Sequence, residues 1–436
     1  MMKKNRTIYF LLALVCLGLQ SCLFQEEDYF DDSSANRATA DVKRCSELLE
    51  AAPNGWVMEY YVGKDYSLGG ITLLCKFDGQ RVTMASQIAG ADETVSSLYS
   101  VKSEQATMLS FDTYNYLVHY FGQPQGSMAD DPNGTLGGDY EFVISDATAD
   151  RIELKGKKYG NRIVMKAFSA DQTWKQYLTR IKKVEDDAFF YEYDLRMDGL
   201  YTGQMLRSNY TFIVTYYDEV GKVYQKTVPF MFTTDGMRFH EPVTIDGQTM
   251  QNFVWKNEEI SFVCTDEGAT GVKMKGIYID GYQSYDYYPG TYLMDFYRLN
   301  GATNQLEVAS QEIQLVKNED GKSYWLKGLE YDILVTYDKP RGGLSILPQF
   351  LKKVQGGYVY LAMWDLMNDY VLRRSAIGLI SYPTTDGIYL VDNGVWMGEI
   401  SGFIFGVYDS QDEEASFMGY TDAVAAIRLI KKTIEE

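Results

Sequence analysis

The chain has 436 residues, 46% hydrophobic and 23% charged, which excludes global disorder and sets an expectation of two or three domains. Its 60 acidic against 41 basic residues give a formal charge of −19, a field that repels phosphate backbones and argues against nucleic acid as a partner. The 36 tyrosines and 21 phenylalanines against 9 prolines favour strands, because rings pack well on a pleated surface.

Residues 1–22 read MMKKNRTIYFLLALVCLGLQSC. Lys3, Lys4 and Arg6 precede a short apolar core at 8–19, too short to span a bilayer permanently, so residues 1–21 read as an export signal. Leu19-Gln20-Ser21-Cys22 resembles the bacterial lipobox, which implies cleavage before Cys22 and acylation of its thiol and of the new N-terminus. With each buried methylene contributing roughly 0.8 kcal/mol, such chains attach a protein stably to a membrane. Losing the leader removes three basic groups and leaves 38 against 60 acidic ones, a charge of −22. Residues 22–38 form a tether carrying Glu26, Glu27, Asp28, Asp31 and Asp32. One reading is a solvated linker. The other is that the acidic run resembles the surface-export signal of Bacteroidetes lipoproteins, which implies an outer-membrane protein facing the cell exterior.

A first helix-plus-β module is expected over 39–168. Val42, Cys45, Leu49 and Ala52 recur at helical spacing until Pro53-Asn54-Gly55 stops the run. The period then becomes two, in strand candidates at 56–61, 71–77 and 81–86, with a hairpin signal at Asp78-Gly79. More strands follow at 96–102, 107–111, 140–144, 151–155 and 162–167. A second module, 169–280, opens on a helix at 170–184 with Trp174, Tyr177, Leu178 and Ile181 on its apolar face. Strands follow near 189–195, 210–217, 223–232, 259–264 and 272–279.

The two modules read as copies. GWVMEYY pairs with AFFYEYD, ITLLCKFDGQRVTM with TFIVTYYDEVGKVYQKTV, and EFVISDATADRIELKG with NFVWKNEEISFVCTDEGATGVKMKG. Phe111 precedes His119 by eight residues and Phe232 precedes His240 by eight, so the two histidines take equivalent places. The expected fold class is mainly β with α+β modules: two tandem helix-plus-antiparallel-sheet units followed by a C-terminal β-sandwich or small barrel at 281–436. Its last segment, 415–432, fits either a helix or a closing strand.

GWVMEYY, KFDGQRVTM, LSFDTYNYLVH, GGDYEF and KGKKYGNRI, behind a lipobox, resemble the Bacteroidetes surface-lipoprotein family catalogued as domain of unknown function 4302, most clearly over residues 40–190. The resemblance implies a cell-surface lipoprotein associated with SusC/SusD-type outer-membrane uptake loci, and it supplies no catalytic residues.

Chemistry-bearing patterns are sparse. Cys45, Cys75 and Cys264, left once Cys16 departs and Cys22 is acylated, lack CxxC spacing and read as small buried hydrophobes. His119 and His240 with Asp112, Asp235 or Glu241 suggest a metal only if the repeats face each other; the favoured reading is one structural turn used twice, with no metal and no cofactor. The loop 130–141 reads as solvated surface before it reads as a calcium site. Tyr278, Tyr282, Tyr285, Tyr287, Tyr288, Tyr292 and Tyr297 crowd into 278–297 beside Asp280 and Asp286. They either fill the seam between the second module and the C-terminal domain or stack on a ligand. The binding reading names Tyr285, Tyr287, Tyr288, Asp280 and Asp286, with the three rings partly exposed. The functional expectation is a non-enzymatic surface lipoprotein, a binding or accessory component of an uptake complex with a glycan or peptide ligand. The alternatives are a carboxylate- or metal-dependent hydrolase and a structural or adhesive lipoprotein.

Overall fold

Helix α1 (Ser34–Ala51) begins where the Ser33 hydroxyl accepts the Asn36 N–H at 3.2 Å, and it buries Cys45 and Leu49. The computed structural model describes residues 33–124, 135–218, 220–412 and 414–432. The leader, Cys22 and the tether up to residue 32 lie outside the described residues. The indole N–H of Trp56 donates to the Leu49 carbonyl at 2.9 Å and ties the helix end to the first strand.

Eight strands follow: β1 (Trp56–Val62), β2 (Gly69–Asp78), β3 (Arg81–Ser86), β4 (Val95–Ser103), β5 (Thr107–Phe111), β6 (Glu141–Ala147), β7 (Arg151–Gly156) and β8 (Arg162–Ala167). A single helical turn, α2 (Tyr116–His119), lies between β5 and β6. Neighbours in sequence pair in order, and the ring closes because β1 pairs with both β2 and β8: Met58 faces Leu73 on one side and Met165 on the other. Strand alternation sends Trp56, Met58 and Tyr60 inward to meet Leu73, Phe142 and Met165 in one core, which Cys45 and Leu49 of α1 complete. In the first hairpin Asp78 pairs with Arg81, so the loop is Gly79-Gln80 and the positive φ, +60°, falls on Gly79 alone.

Helix α3 (Trp174–Asp187) starts four residues later than the apolar pattern places it, because Thr173 and Gln176 form a reciprocal capping box. It serves two barrels. Leu178, with Trp174 and Tyr177, covers Val57, Leu74 and Ala85 on the outer wall of the first, while Ile181 and Val184 join the core of the second.

That second barrel comprises β9 (Glu192–Met197), β10 (Leu200–Ser208), β11 (Thr211–Tyr217), β12 (Val223–Phe232), β13 (Gly236–Ile245), β14 (Gln248–Lys256), β15 (Ser261–Cys264) and β16 (Val272–Ile277), closed by β9 pairing with β16. Tyr193, Phe212, Phe230, Phe239 and Phe262 dominate its interior.

The third unit is also mainly β. Strand Gly290–Asn300 pairs with strand Phe417–Lys431, Met294 opposite Leu429. With the six strands that link them by pairing, they complete an eight-stranded circuit. Phe417–Lys431 also pairs along its first half with Gly402–Tyr408, which carries a side sheet and brings the total to twelve strands. The chain end is therefore a strand.

Three expectations change. The sheets of the first two modules are closed barrels rather than open sheets with a helix against one face. The third unit, expected as a sandwich or a small barrel, is an eight-stranded closed circuit with an appended sheet, so the sandwich alternative falls. Residues 211–217 form the third strand of their barrel, whereas 69–78, their supposed counterpart, form the second. The hairpin through β10 shifts the proposed repeat by one strand.

The first two barrels touch directly. Gly69, at φ +72°, lies so close to Tyr210 that an added Cβ would sit 2.0 Å from the Tyr210 carbonyl oxygen. The Tyr210 ring packs against both cores and its hydroxyl donates to Glu185 of α3 at 2.7 Å. Glu59 of β1 pairs with Arg238 of β13 at 2.6 Å. Burial pushes the Glu59 carboxyl up, but Arg238 and Lys166 outweigh it and hold the group below the usual carboxylate range. Gly69→Ala is expected to cost more than about 1 kcal/mol, since alanine there meets both a positive φ and a backbone clash. The measurement is a lower denaturant midpoint of the full chain.

Candidate functional site

The tyrosine-rich segment divides between two environments. Tyr278 and Tyr282 form the seam with the second barrel: Tyr282 stacks on Phe189 at 5.9 Å and 15°, and Tyr278 meets Phe190 edge-on at 5.0 Å. Lys339 of the third unit caps the seam, lying 5.1 Å from the Phe189 ring centre and bonding the Asp186 carboxylate at 2.9 Å. Tyr285, Tyr288 and Tyr292 belong instead to the third unit. Tyr288 is only 1% exposed, and its hydroxyl donates to the Gly342 carbonyl at 2.8 Å. Tyr285, half-buried, stacks on Tyr324 at 4.7 Å and donates to the Ser323 carbonyl at 2.8 Å.

The expectation that Tyr285, Tyr287 and Tyr288 are partly exposed holds for Tyr285 and Tyr287 and is corrected at Tyr288. Tyr288 is core and Tyr285 is spent on internal contacts. Tyr287 is exposed, at 39%, yet lies beneath the Lys431 ammonium, 5.0 Å from its ring centre. Asp286 is exposed and pairs with Lys317. Of the five residues, Asp280 lines a cleft.

That cleft, about 550 Å³, lies where the second barrel meets the third unit. Its formation follows from barrel closure. Because β9 pairs antiparallel with β16, Glu192 opposite Ile277, the residue entering the barrel and those leaving it emerge side by side. Tyr191 and Ile279–Asp280 become one wall in this way. The opposite wall comes from the third unit: Asp338, Arg341, Leu344, Ile380 and Tyr382. Tyr191 is 49% exposed and Tyr382 62%, so two aromatic rings stand with free faces over an apolar floor. Asp280 is exposed and makes no ion pair among the described residues, whereas Arg341 and Asp338 pair at 3.7 Å. Two open rings with a free carboxylate and a guanidinium can stack on a sugar or aromatic ring and exchange hydrogen bonds with hydroxyl or amide groups. Tyr191 was accessible to sequence reasoning only through closure; Tyr382 carried no local signal.

The histidines are not equivalent. His119 ends α2, its Nδ1 3.0 Å from the Asn115 carbonyl and its ring stacked on Tyr140 at 4.6 Å. His240 lies within β13, between Tyr61 at 4.3 Å and Tyr66 at 4.2 Å. Burial pushes both below the ordinary imidazole value. No group of three His, Cys, Asp or Glu side chains suited to a metal forms among the described residues. Cys45, Cys75 and Cys264 are free and buried, burial pushing Cys264 up to about 11. Part of the acidic loop, 130–134, lies outside the described residues. At its far end Tyr140 is exposed, but Asp139 is buried and accepts the backbone N–H of Lys158 at 2.7 Å and of Tyr159 at 3.2 Å.

A family model described as Domain of unknown function (DUF4302) matches residues 26–257, well beyond the stretch where the resemblance is plainest. A second, also described as a domain of unknown function (DUF4987), matches residues 265–404. The gap between them falls inside the second barrel, before its last strand. None of the curated proteins matches the sequence. Among solved structures, a protein of unknown function from the DUF3598 family of Nostoc punctiforme is 7% identical, the alignment covering 57% of this chain and 99% of that one with a TM-score of 0.15. A mutant of the vaccine antigen transferrin binding protein B from Haemophilus parasuis is 9% identical, with 84% and 67% covered and a TM-score of 0.12. Neither score bears on fold or function.

Tyr288→Ala is expected to cost about 3–5 kcal/mol, the range for emptying a buried aromatic site. Tyr287→Ala is expected to change stability by less than about 1 kcal/mol, since its ring is exposed. Thermal unfolding of the two variants checks the contrast.

Proposed function

Because the chain belongs to the family described as Domain of unknown function (DUF4302), which brings no assigned activity, we propose from its own residues that it is a non-enzymatic, lipid-anchored binding protein of the outer-membrane surface. Leu19-Gln20-Ser21-Cys22 supports the anchor, and Glu26 to Asp32 the outward address. In this reading the body is an accessory component of a SusC/SusD-type nutrient uptake system.

The observation that carries the binding role is the cleft between the second barrel and the third unit. Tyr191 and Tyr382 keep large open faces there, beside the Asp280 carboxylate, which makes no ion pair among the described residues. Exposed rings flanking a polar group suit a glycan or peptide, since each ring adds contact area with little loss of side-chain entropy. The ligand docks between Tyr191 and Tyr382, with Asp280 and Arg341 fixing its orientation.

Tyr191→Ala combined with Tyr382→Ala is expected to weaken glycan or peptide capture at least about tenfold, the loss of one or two well-placed anchors. Its melting temperature is expected to stay close to that of the unaltered chain, because both rings are exposed. Binding unchanged on glycan and peptide arrays would sink the cleft assignment. Cys22→Ala is expected to release the protein from membranes, and protease added to intact cells is expected to digest the body. Membrane retention of the variant would refute the anchor, and protection in intact cells would refute the outward orientation.

A further inference from the structure

The first two barrels meet along a second cleft, about 420 Å³, with a different chemistry. Met58, Tyr60, Ile163 and Met165 point into the first barrel's core, so the period of two turns Glu59, Tyr61, Arg162 and Lys166 outward. Arg151 of β7 stands opposite Lys166 in the strand register. Strand β13 of the second barrel brings Arg238 and His240 to the same space, and β14 brings Gln251 and Asn252.

Charge there is unbalanced. Glu59 serves both Lys166, at 2.8 Å, and Arg238, at 2.6 Å. Arg151 pairs with Glu153 at 2.8 Å, and Arg162 has no acidic partner among the described residues. Four cations thus share two carboxylates. Asp266, behind Asn252, is occupied by the backbone N–H groups of Gln251 and Asn252 and by the Asn252 amide. Burial pushes the His240 imidazole below its ordinary value; Glu241 opposes this, while Arg162 and Arg238 add to it.

A second observation is independent of charge. Tyr61, 4% exposed, has a buried hydroxyl whose own proton is donated to no group among the described residues, the Arg238 guanidinium beside it being a donor only. Arg238 beside it is engaged by Glu59 and by the Met231 sulfur at 3.5 Å.

We propose that this cleft binds a small molecule through an oxyanion group, carboxylate or phosphate, with Arg162 as its anchor, Lys166 as the second cation and the Tyr61 hydroxyl as a further donor. A guanidinium presents a planar fork of donors that matches either group, and a free one needs no bond broken before it engages. The chain's net negative charge does not prevent this, since salt screens charges beyond about 8 Å at physiological ionic strength and leaves the local cations to decide.

Isothermal titration of the full chain with glucuronate, inorganic phosphate and neutral glucose, each at low and high salt, tests the site. Saturable binding of at least one anion is expected, weaker at high salt, with none for glucose. Glucuronate alone would assign a carboxylate, phosphate alone a tetrahedral anion, and both a general oxyanion site. Arg162→Gln is expected to weaken binding about tenfold or more, the equivalent of one charge-assisted hydrogen bond. Tyr61→Phe, which removes only the hydroxyl, is expected to weaken it about threefold or more with the fold retained, the equivalent of one neutral hydrogen bond. Absence of saturable anion binding at low salt would overturn the proposal, as would anion affinity unchanged in both variants or glucose binding as tightly as the anions.

Discussion

Closure of an antiparallel sheet on itself is the constraint on which this molecule depends. In the first two units the first strand pairs with the last, β1 with β8 and β9 with β16, and in the third Gly290–Asn300 pairs with Phe417–Lys431. Each closure removes two strand edges that would otherwise offer unpaired backbone groups to another chain. It also divides every strand into an inward row that fills a core and an outward row free for other uses. Finally, it returns the chain to the place where it entered. Binding surfaces at the junctions follow from that last consequence, because entry and exit segments of one barrel stand side by side against the next.

Outward rows of neighbouring barrels meet under close steric control. Gly69 allows β2 to approach the Tyr210 backbone at a distance no side chain tolerates, and the Tyr210 ring then belongs to two cores at once. Helix α3 adds a second join, Leu178 on one barrel and Ile181 with Val184 in the other. Glu59 and Arg238 form a cross-barrel ion pair in partly buried surroundings, where an unpaired partner would be costly. These contacts hold the two barrels in one arrangement and shape the cationic cleft between them. The junction with the third unit is organised by rings instead, with Phe189, Phe190, Tyr278 and Tyr282 packed under Lys339. One junction is electrostatic and the other aromatic, so they suit ligands of different chemistry.

Local pattern was readable where a local force decides the outcome. Alternation in 56–61 marked a strand, Pro53-Asn54-Gly55 marked the end of a helix, and Gly79 marked a hairpin because its backbone adopts a positive φ. The helix after residue 170 was legible, although its start was misplaced because the Thr173–Gln176 capping box overrides the apolar spacing. The last segment fits two periodicities on paper, and pairing with three neighbours decides for a strand. The histidine correspondence failed for a related reason. Equal spacing from Phe111 and Phe232 crosses from a strand into a helical turn in one case and from β12 into β13 in the other.

By itself the sequence determined the mainly β class of the structure and the membership of a family, because these rest on composition, period and short motifs. Only the tertiary structure decided that the sheets close, since closure joins Trp56 to Ala167 and Glu192 to Ile277 across long stretches of chain. It also decided which tyrosines remain free. Tyr287 and Tyr288 are adjacent and chemically identical, yet one is 39% exposed and the other 1%, because the turn ahead of Gly290 sends Tyr288 into the third unit's core and leaves Tyr287 outside it. Composition can place a ring in a neighbourhood; packing from distant parts of the chain determines whether its face meets solvent.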